Sequence, residues 1–228
     1  MRIRTALIGW MVLATLCGLH PAWAQMPYGD PARGFKLSEE CGACHGAGGV
    51  AADGTLANLA GQNIAYLEKQ LMDMRSEAND RAGVTLMQDL DKQQRDKRFG
   101  FTRPMRTNEI MDPLVADLSD QDIADLAAHF YRLPCGSRRP DPLVEVPRQA
   151  VRCGACHGSG GVSGNPLIPN IAGQPEAYLA KRLRQFREIG LKLTKKERRR
   201  DIMSSQARLL KDADIALLSA YFAGLPCR

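Results

Sequence analysis

The sequence predicts an all-α fold built from two tandem modules. Residues Cys41 to Val50 and Cys153 to Val162 share nine of ten amino acids at an offset of 112, which indicates an internal repeat. The remaining pattern is helical, and no segment shows the alternation typical of a strand. With 228 residues, 44% hydrophobic and 25% charged, the chain can form one large or two small globular domains, and a disordered or collagen-like chain is excluded.

The repeat continues beyond these ten residues and defines the module boundaries. The offset of 112 also aligns Asn58–Gln62 with Asn170–Gln174, and an offset of 92 then pairs Met111 with Met203. The first copy therefore has about 20 extra residues between Leu71 and Met111. We predict modules at 25–138 and 139–228, an insertion at about 76–104, and a linker from Gly136 to Pro140.

The N-terminus is typical of a cleaved secretory signal at residues 1–24. A basic start precedes an uncharged run from Ala6 to Leu19, and Ala22-Trp23-Ala24 matches a cleavage site. The run is shorter than the ~20 apolar residues of a membrane helix. A lipid anchor on Cys17 is the alternative, but Leu16 is not the small residue expected before it. We expect cleavage after Ala24 and export to the periplasm.

Helix starts and apolar faces can be assigned in both copies. Asp30 and Pro31 predict an N-cap and a first helical residue, with the helix running toward Cys41. Ser119 and Asp122 resemble a capping box for a helix that ends before Pro134. In the second copy Lys211 replaces the capping serine, and Pro147 shortens the opening helix. The two final helices have corresponding buried faces, predicted at Ile123, Leu126, Ala127 and Phe130, and at Ile215, Leu218, Ser219 and Phe222.

Each copy contains a CxxCH motif, which is the attachment sequence of haem c. Two thiols at i and i+3 lie on one side of a helical turn, so both can form thioethers with a porphyrin edge, and the histidine that follows binds the iron. A thioredoxin-like CxxC motif would need a βαβ context, and a zinc site would use four cysteines and two histidines. We predict two covalent haem c groups, with thioether donors Cys41, Cys44, Cys153 and Cys156 and proximal ligands His45 and His157.

Methionine is the predicted second axial ligand of each iron. After His157 the sequence contains one methionine, Met203, and no further histidine. The repeat then assigns Met111, because it precedes Ile123 by the same spacing that separates Met203 from Ile215. A thioether ligand favours Fe(II) and raises the reduction potential. Met105 is the competing ligand in the first module. We expect Met72, Met74 and Met87 to pack in the core or to lie in the insertion. We expect His129 to be a packing or surface residue.

These motifs resemble those of dihaem class I cytochromes c, specifically the cytochrome c4 family, over residues 25 to 228. The resemblance rests on the two CxxCH motifs, the P-x-I-A-G-Q segment at Pro169 to Gln174, and a methionine followed by a final helix. It implies two class I cytochrome modules related by a pseudo-twofold axis. It also implies that the carbonyl of Pro169, and that of Ala57 in the first copy, accepts a hydrogen bond from the proximal histidine.

The function implied by this resemblance is periplasmic transfer of single electrons, without catalytic residues. The chain would carry electrons to a terminal oxidase, or serve as a dedicated subunit of a dehydrogenase or oxidase complex at the membrane periphery. The alternative is a dihaem enzyme, such as a peroxidase or a sulfur-compound oxidoreductase, with one catalytic haem. Protein redox partners are expected, and nucleic acid is not.

Basic side chains suggest how such a partner docks. Clusters precede both methionines, so we expect both methionine-bearing sides to attract an acidic redox partner, although a solvated face would give the same pattern. Arg75 and Arg187 correspond in the repeat and are candidates to neutralise a haem propionate, with solvated arginines as the alternative. The clusters comprise Lys92, Arg95, Lys97, Arg98, Arg103 and Arg106, and Lys192, Lys195, Lys196, Arg198, Arg199 and Arg200.

Two further cysteines, Cys135 and Cys227, follow Leu-Pro at the end of each copy. Once haem holds four cysteines and Cys17 leaves with the signal, they are the remaining thiols in an oxidising compartment. We predict a disulfide that joins the two modules. An intermolecular bridge, unpaired thiols and a redox switch are the alternatives.

Overall fold

The computed structural model describes residues 29–81, 108–136, 145–192 and 201–227. The predicted signal peptide, the insertion beyond residue 81, Met87, Met105 and linker residues 137–140 lie outside these ranges. The described residues form helices and no strand, as the sequence predicts. The helices are α1 (Pro31–Leu37), α2 (Glu39–His45), α3 (Ile64–Arg81), α4 (Met111–Val115), α5 (Asp120–Arg132), α6 (Arg148–His157), α7 (Glu176–Lys192), α8 (Ile202–Ala207) and α9 (Asp212–Gly224).

The opening of the first module consists of two helices where the sequence predicts one. The Asp30 side chain accepts from the Ala32 N–H and Pro31 begins α1, which confirms the predicted start. The helix ends at Ser38, whose N–H donates to the carbonyls of Gly34 and Phe35. The Ser38 hydroxyl also donates to the Phe35 carbonyl at 2.8 Å. The serine thus satisfies the end of α1, and α2 begins directly after it.

The final helices α5 and α9 provide the central apolar face of their modules. The capping box of Ser119 and Asp122 is confirmed, whereas Lys211 supplies only its backbone N–H, which donates to Asp214 at 3.0 Å. Both predicted faces are confirmed as buried. Leu67 packs with Leu126 and Phe130 in the first module, and Leu179 packs with Leu218 and Phe222 in the second.

Two glycines allow helices to approach closely. A Cβ at Gly34 in α1 would overlap the Asp125 carbonyl of α5, and one at Gly190 in α7 would overlap the Ser204 carbonyl of α8. Asp125 also accepts from the Asp30 N–H at 2.7 Å and from Arg33. Because α8 carries Met203, the contact at Gly190 positions this methionine.

The modules contact each other through reciprocal amide hydrogen bonds. The Asn58 and Asn170 side chains donate to the backbone carbonyls of Gly173 and Gly61, at 3.1 and 3.0 Å. Each acceptor lies in the other module, and the two bonds are related by the repeat. This reciprocity is what a pseudo-twofold axis produces.

A disulfide between Cys135 and Cys227 joins the ends of the two modules. Their Cα atoms are 6.1 Å apart, within the range that a disulfide spans. Gly61 lies beside the bridge, since a Cβ there would be 3.0 Å from the Cys135 Cβ. The bridge therefore lies next to the amide contacts. Within the described residues, no helix is long and apolar enough to cross a membrane.

Candidate functional site: two haem-attachment centres

Each CxxCH motif occupies the last turn of a helix. His45 ends α2 and His157 ends α6, and both imidazoles are buried. The next residue, Gly46 or Gly158, has φ of 77° or 78°, a conformation that favours glycine. A Cβ there would overlap the carbonyl of Val50 or Val162. The glycine therefore allows the chain to turn back around the histidine.

The orientation of each histidine is fixed by a backbone carbonyl. The Nδ1 atoms of His45 and His157 lie 2.8 Å from the carbonyl oxygens of Ala57 and Pro169, respectively. A ring that donates from Nδ1 has Nε2 left to bind a metal. Burial lowers the pKa of His157, and the hydrogen bond to the Pro169 carbonyl offsets part of this effect. The lowered pKa favours the neutral ring that binding to a metal requires. The carbonyls predicted from the family resemblance thus lie within hydrogen-bond distance.

The four CxxCH cysteines are unbridged. Cys44 and Cys156 are exposed, while Cys41 and Cys153 are half-buried, and burial raises the pKa of both thiols. No cluster of three or more His, Cys, Asp or Glu residues that could hold a metal ion occurs in the described part of the chain. Accessible thiol pairs beside an oriented imidazole fit covalent haem attachment.

The methionines predicted as iron ligands occupy corresponding places. Met111 is the first residue of α4 and Met203 the second residue of α8, and both are half-buried. These short helices pack against α3 and α7. Met72 and Met74 are buried in the core, as expected of packing methionines.

His129 is a packing residue. Its ring lies 5.6 Å from the Phe35 ring and 5.2 Å from the Phe130 ring, measured between centroids. Burial lowers the pKa of His129. Its Nε2 has no hydrogen-bond partner, so a proton added there would be poorly compensated.

Arg75 and Arg187 brace helices, which accounts for their correspondence in the repeat. Arg75 donates to the Leu118 carbonyl and to Asp120, each at 2.6 Å. Arg187 donates to the equivalent Leu210 carbonyl and Asp212, at 3.1 and 2.8 Å. Both arginines therefore link the starts of α5 and α9 to the preceding long helix. Their predicted role toward a haem propionate stays a prediction.

Sequence reasoning missed the function of the interface amides. The repeated segments Asn58–Gln62 and Asn170–Gln174 were visible as an alignment, but no role was predicted for their polar side chains. Their hydrogen bonds run between the modules, so they could be found only once the modules were placed together. All four terminal residues of these segments are buried.

The comparisons agree with the duplicated haem-attachment site. The family model for cytochrome c matches residues 31–131 and 149–226. The duplicated helical module and its two CxxCH centres define a dihaem class I cytochrome c that holds two covalent haem c groups.

The chain belongs to the cytochrome c4 family. It is 34% identical to cytochrome c4 of Azotobacter vinelandii over 209 residues, covering 86% of this chain and 90% of the relative. It resembles the crystal structure of reduced cytochrome c4 from Pseudomonas stutzeri with a TM-score of 0.64 and 30% identity, covering 86% of this chain and 99% of that one.

Another similar protein is named thiosulfate dehydrogenase electron acceptor, from Stutzerimonas stutzeri. It is 30% identical over 201 residues, covering 81% of this chain and 78% of the relative. These relatives are named as cytochromes or as an electron acceptor. The chain is accordingly an electron-transfer protein rather than an enzyme, and its function is single-electron transfer between redox partners.

Proposed function

We propose that this member of the cytochrome c4 family is exported, accepts electrons from a dehydrogenase and passes them on singly. We also propose module boundaries at 25–138 and 139–228. The observation that carries this proposal is the duplicated, carbonyl-oriented histidine beside an unbridged thiol pair. When bound, haem c supplies an iron that alternates between Fe(III) and Fe(II). Cys41, Cys44, Cys153 and Cys156 would hold the two groups, and His45 and His157 would bind their irons.

Met111 and Met203 complete this proposal as the second axial ligands. Their corresponding positions on α4 and α8, next to α3 and α7, support the pairing. An iron with both axial positions filled has no site for peroxide, oxygen or another substrate. The pair of methionines therefore favours electron transfer over catalysis at either centre.

A dehydrogenase is the proposed donor because a similar protein is named as the electron acceptor of thiosulfate dehydrogenase. The cleaved signal predicted at 1–24 would deliver the protein to the periplasm, where such a partner can reach it. The cysteine pair joined by a disulfide is consistent with that oxidising compartment.

Charge favours the second module as the docking side for an acidic partner. Residues 139–228 contain 16 basic and 8 acidic side chains, whereas residues 25–138 contain 13 and 17. The exposed side of α7 presents Lys181 and Arg184. Their first-module counterparts are Lys69, which is buried and pairs with Asp73, and Met72. We therefore propose the second module as the main docking side, while the basic cluster before Met111 stays a prediction outside the described residues.

Most residues of the two predicted basic clusters lie outside the described ranges. The described member, Lys192, is exposed and pairs with Glu188 at 2.9 Å. An exposed pair of this kind contributes little to stability, and each charge is largely screened by the other. The docking proposal therefore rests on α7 and on the charge of the whole second module.

The experiment measures the rate at which thiosulfate-reduced thiosulfate dehydrogenase reduces the holoprotein. We expect the rate to fall as ionic strength rises, since opposite charges accelerate encounter at low salt. Arg184→Glu should slow reduction several-fold at low salt, with convergence at high salt. Lys36→Glu, the same charge change on the first module, should have a smaller effect. A rate independent of salt, or equal losses in both variants, would contradict the docking proposal.

A further inference from the structure

One peptide group in the first module is hydrogen-bonded to both modules. The carbonyl of the peptide between Ala57 and Asn58 lies 2.8 Å from the His45 Nδ1. The N–H of this same peptide donates to the Gln174 Oε1 of the second module, at 3.0 Å. The histidine of one module and the amide of the other therefore bind opposite sides of a single peptide.

The second module contains the arrangement related to this one by the pseudo-twofold axis. The carbonyl of the peptide between Pro169 and Asn170 lies 2.8 Å from the His157 Nδ1. The N–H of that peptide donates to the Gln62 Oε1 of the first module, also at 2.8 Å. Two independent copies of one arrangement show that it belongs to the repeat and its pseudo-twofold axis.

Each glutamine amide both accepts and donates across the interface, and the Gln62 Oε1 also accepts from the Asn63 N–H at 2.9 Å. The Gln174 Nε2 donates to the Asn58 carbonyl at 2.8 Å, and the Gln62 Nε2 donates to the Asn170 carbonyl at 2.9 Å. Both glutamine side chains are buried, with total residue exposures of 7% and 5%. An amide that both accepts and donates in this way is fixed in orientation, and water does not compete for its bonds.

The chemistry of the peptide couples its two sides. Donation from the N–H polarises the peptide and makes its carbonyl a better acceptor, since hydrogen bonds in a chain strengthen one another. A better acceptor at Nδ1 raises the basicity of the ring nitrogen that binds iron. A more basic ligand stabilises Fe(III) relative to Fe(II), which lowers the reduction potential.

We propose that Gln174 and Gln62 are positioning residues, each of which tunes the haem of the opposite module through one peptide group. Gln174 acts on the centre of His45, and Gln62 acts on the centre of His157. The inference rests on the proposed ligand roles of these histidines. It makes the reduction potential of each centre depend on a side chain from the other module.

The test measures both reduction potentials of the holoprotein by redox titration. The two centres are distinguished by NMR, from haem methyl signals assigned through their contacts with each module. Gln174→Leu should raise the potential of the first-module haem more than that of the second. Gln62→Leu should do the reverse. This crossed pattern is the expected result, because each substitution removes an acceptor from the other module's peptide.

Two matched variants separate this effect from loosening of the interface. Asn63→Leu removes a side-chain bond to the Ile168 carbonyl, at 2.8 Å across the interface, and weaker bonds to the Asn165 carbonyl and the Asn170 side chain. It removes no bond to either peptide group. It should leave both potentials near those of the unmodified protein. Gln174→Glu keeps an acceptor oxygen, so the first-module potential should not rise.

The proposal is overturned if each leucine variant shifts only its own module, if both centres shift equally, or if Asn63→Leu gives the same shifts. Unchanged potentials in both leucine variants would also overturn it. Failure of the proposed function would appear separately, as fewer than two haems or fewer than two one-electron transitions in the unmodified protein. The Cys135–Cys227 bridge is unaltered in every variant and still links the ends of the two modules.

Discussion

At the scale of single residues, the two candidate iron ligands, His45 and His157, are specified by spacing, whereas their orientation depends on backbone atoms. Ala57 and Pro169 are chemically different, yet both place a carbonyl 2.8 Å from the histidine Nδ1. The acceptor belongs to the main chain, so the side chain at this position can vary. The CxxCH motif thus predicts the attachment residues, while the hydrogen-bond geometry required the fold.

The assignment of Met111 and Met203 can be tested by substitution. Met111→Ala and Met203→Ala should each remove about half of the far-red sulfur-to-iron band, because each removes the thioether of one of two irons. Each variant should also bind carbon monoxide at one haem after reduction. Absorption spectra of the oxidised and reduced holoprotein provide the measurement.

Met105→Ala is the control for the first module. It should retain both the full far-red band and resistance to carbon monoxide. If Met105→Ala loses half of the band while Met111→Ala keeps it, the first-module ligand is Met105 instead.

His129 predicts a pH dependence of stability. Burial lowers its pKa, so the folded state favours the neutral ring. The free energy of unfolding is therefore highest above about pH 6.5, the pKa of histidine in the unfolded chain. It decreases as pH falls toward the lower pKa of His129 in the folded protein. His129→Tyr, which introduces the residue found at Tyr221, should reduce this loss. Denaturant unfolding of both proteins between pH 7.5 and about 5 measures it; identical slopes against pH would contradict the role of His129.

At the scale of helices, caps and apolar faces were predictable, but close packing was not. The Ser119 capping box follows from local sequence, as does the buried face of α5. The break at Ser38 was missed because serine is compatible with both a helix interior and a cap. The importance of Gly34 and Gly190 appears only when the partner helix lies against them.

Gly190→Ala tests how α7 positions the methionine helix. Its new Cβ would overlap the Ser204 backbone carbonyl, so α8 must move away. Overpacking of this kind costs about 1–3 kcal/mol. We expect a lower free energy of unfolding and a weaker far-red band from the second centre.

Gly224→Ala is the matched control, because no atom lies within 4 Å of its added Cβ. Denaturant unfolding and the oxidised-state spectrum should both remain close to those of the unmodified protein. Equal effects of the two alanine substitutions would contradict the packing argument.

At the scale of the whole molecule, the modules are held together by reciprocal amides and by one disulfide. The disulfide was predictable by counting cysteines, but its position beside Gly61 and the amide bonds was not. The interface depends on residues about 110 positions apart, and a single sequence gives no distance between them. The repeat revealed the symmetry, and the structure showed which atoms meet across it.

Loss of the disulfide should weaken the joint between the modules without removing haem. A chain-entropy argument gives at most about 4–5 kcal/mol for a loop of this length, less whatever the amide contacts already contribute. Cys135→Ala with Cys227→Ala should therefore lower the free energy of unfolding while haem content stays at two. Mass spectrometry of the alkylated, unreduced protein should find no free thiol in the parent chain. Two alkylated thiols, or a covalent dimer, would contradict an intrachain bridge.

The most direct test of the account is the response of the fully reduced holoprotein to carbon monoxide at neutral pH. The account assigns two axial protein ligands to each iron, so the visible spectrum should remain unchanged. A reductive titration that starts from the fully oxidised holoprotein should take up two electrons per chain. Carbon monoxide binding at either haem of the unmodified protein would contradict the electron-carrier assignment and favour a catalytic centre.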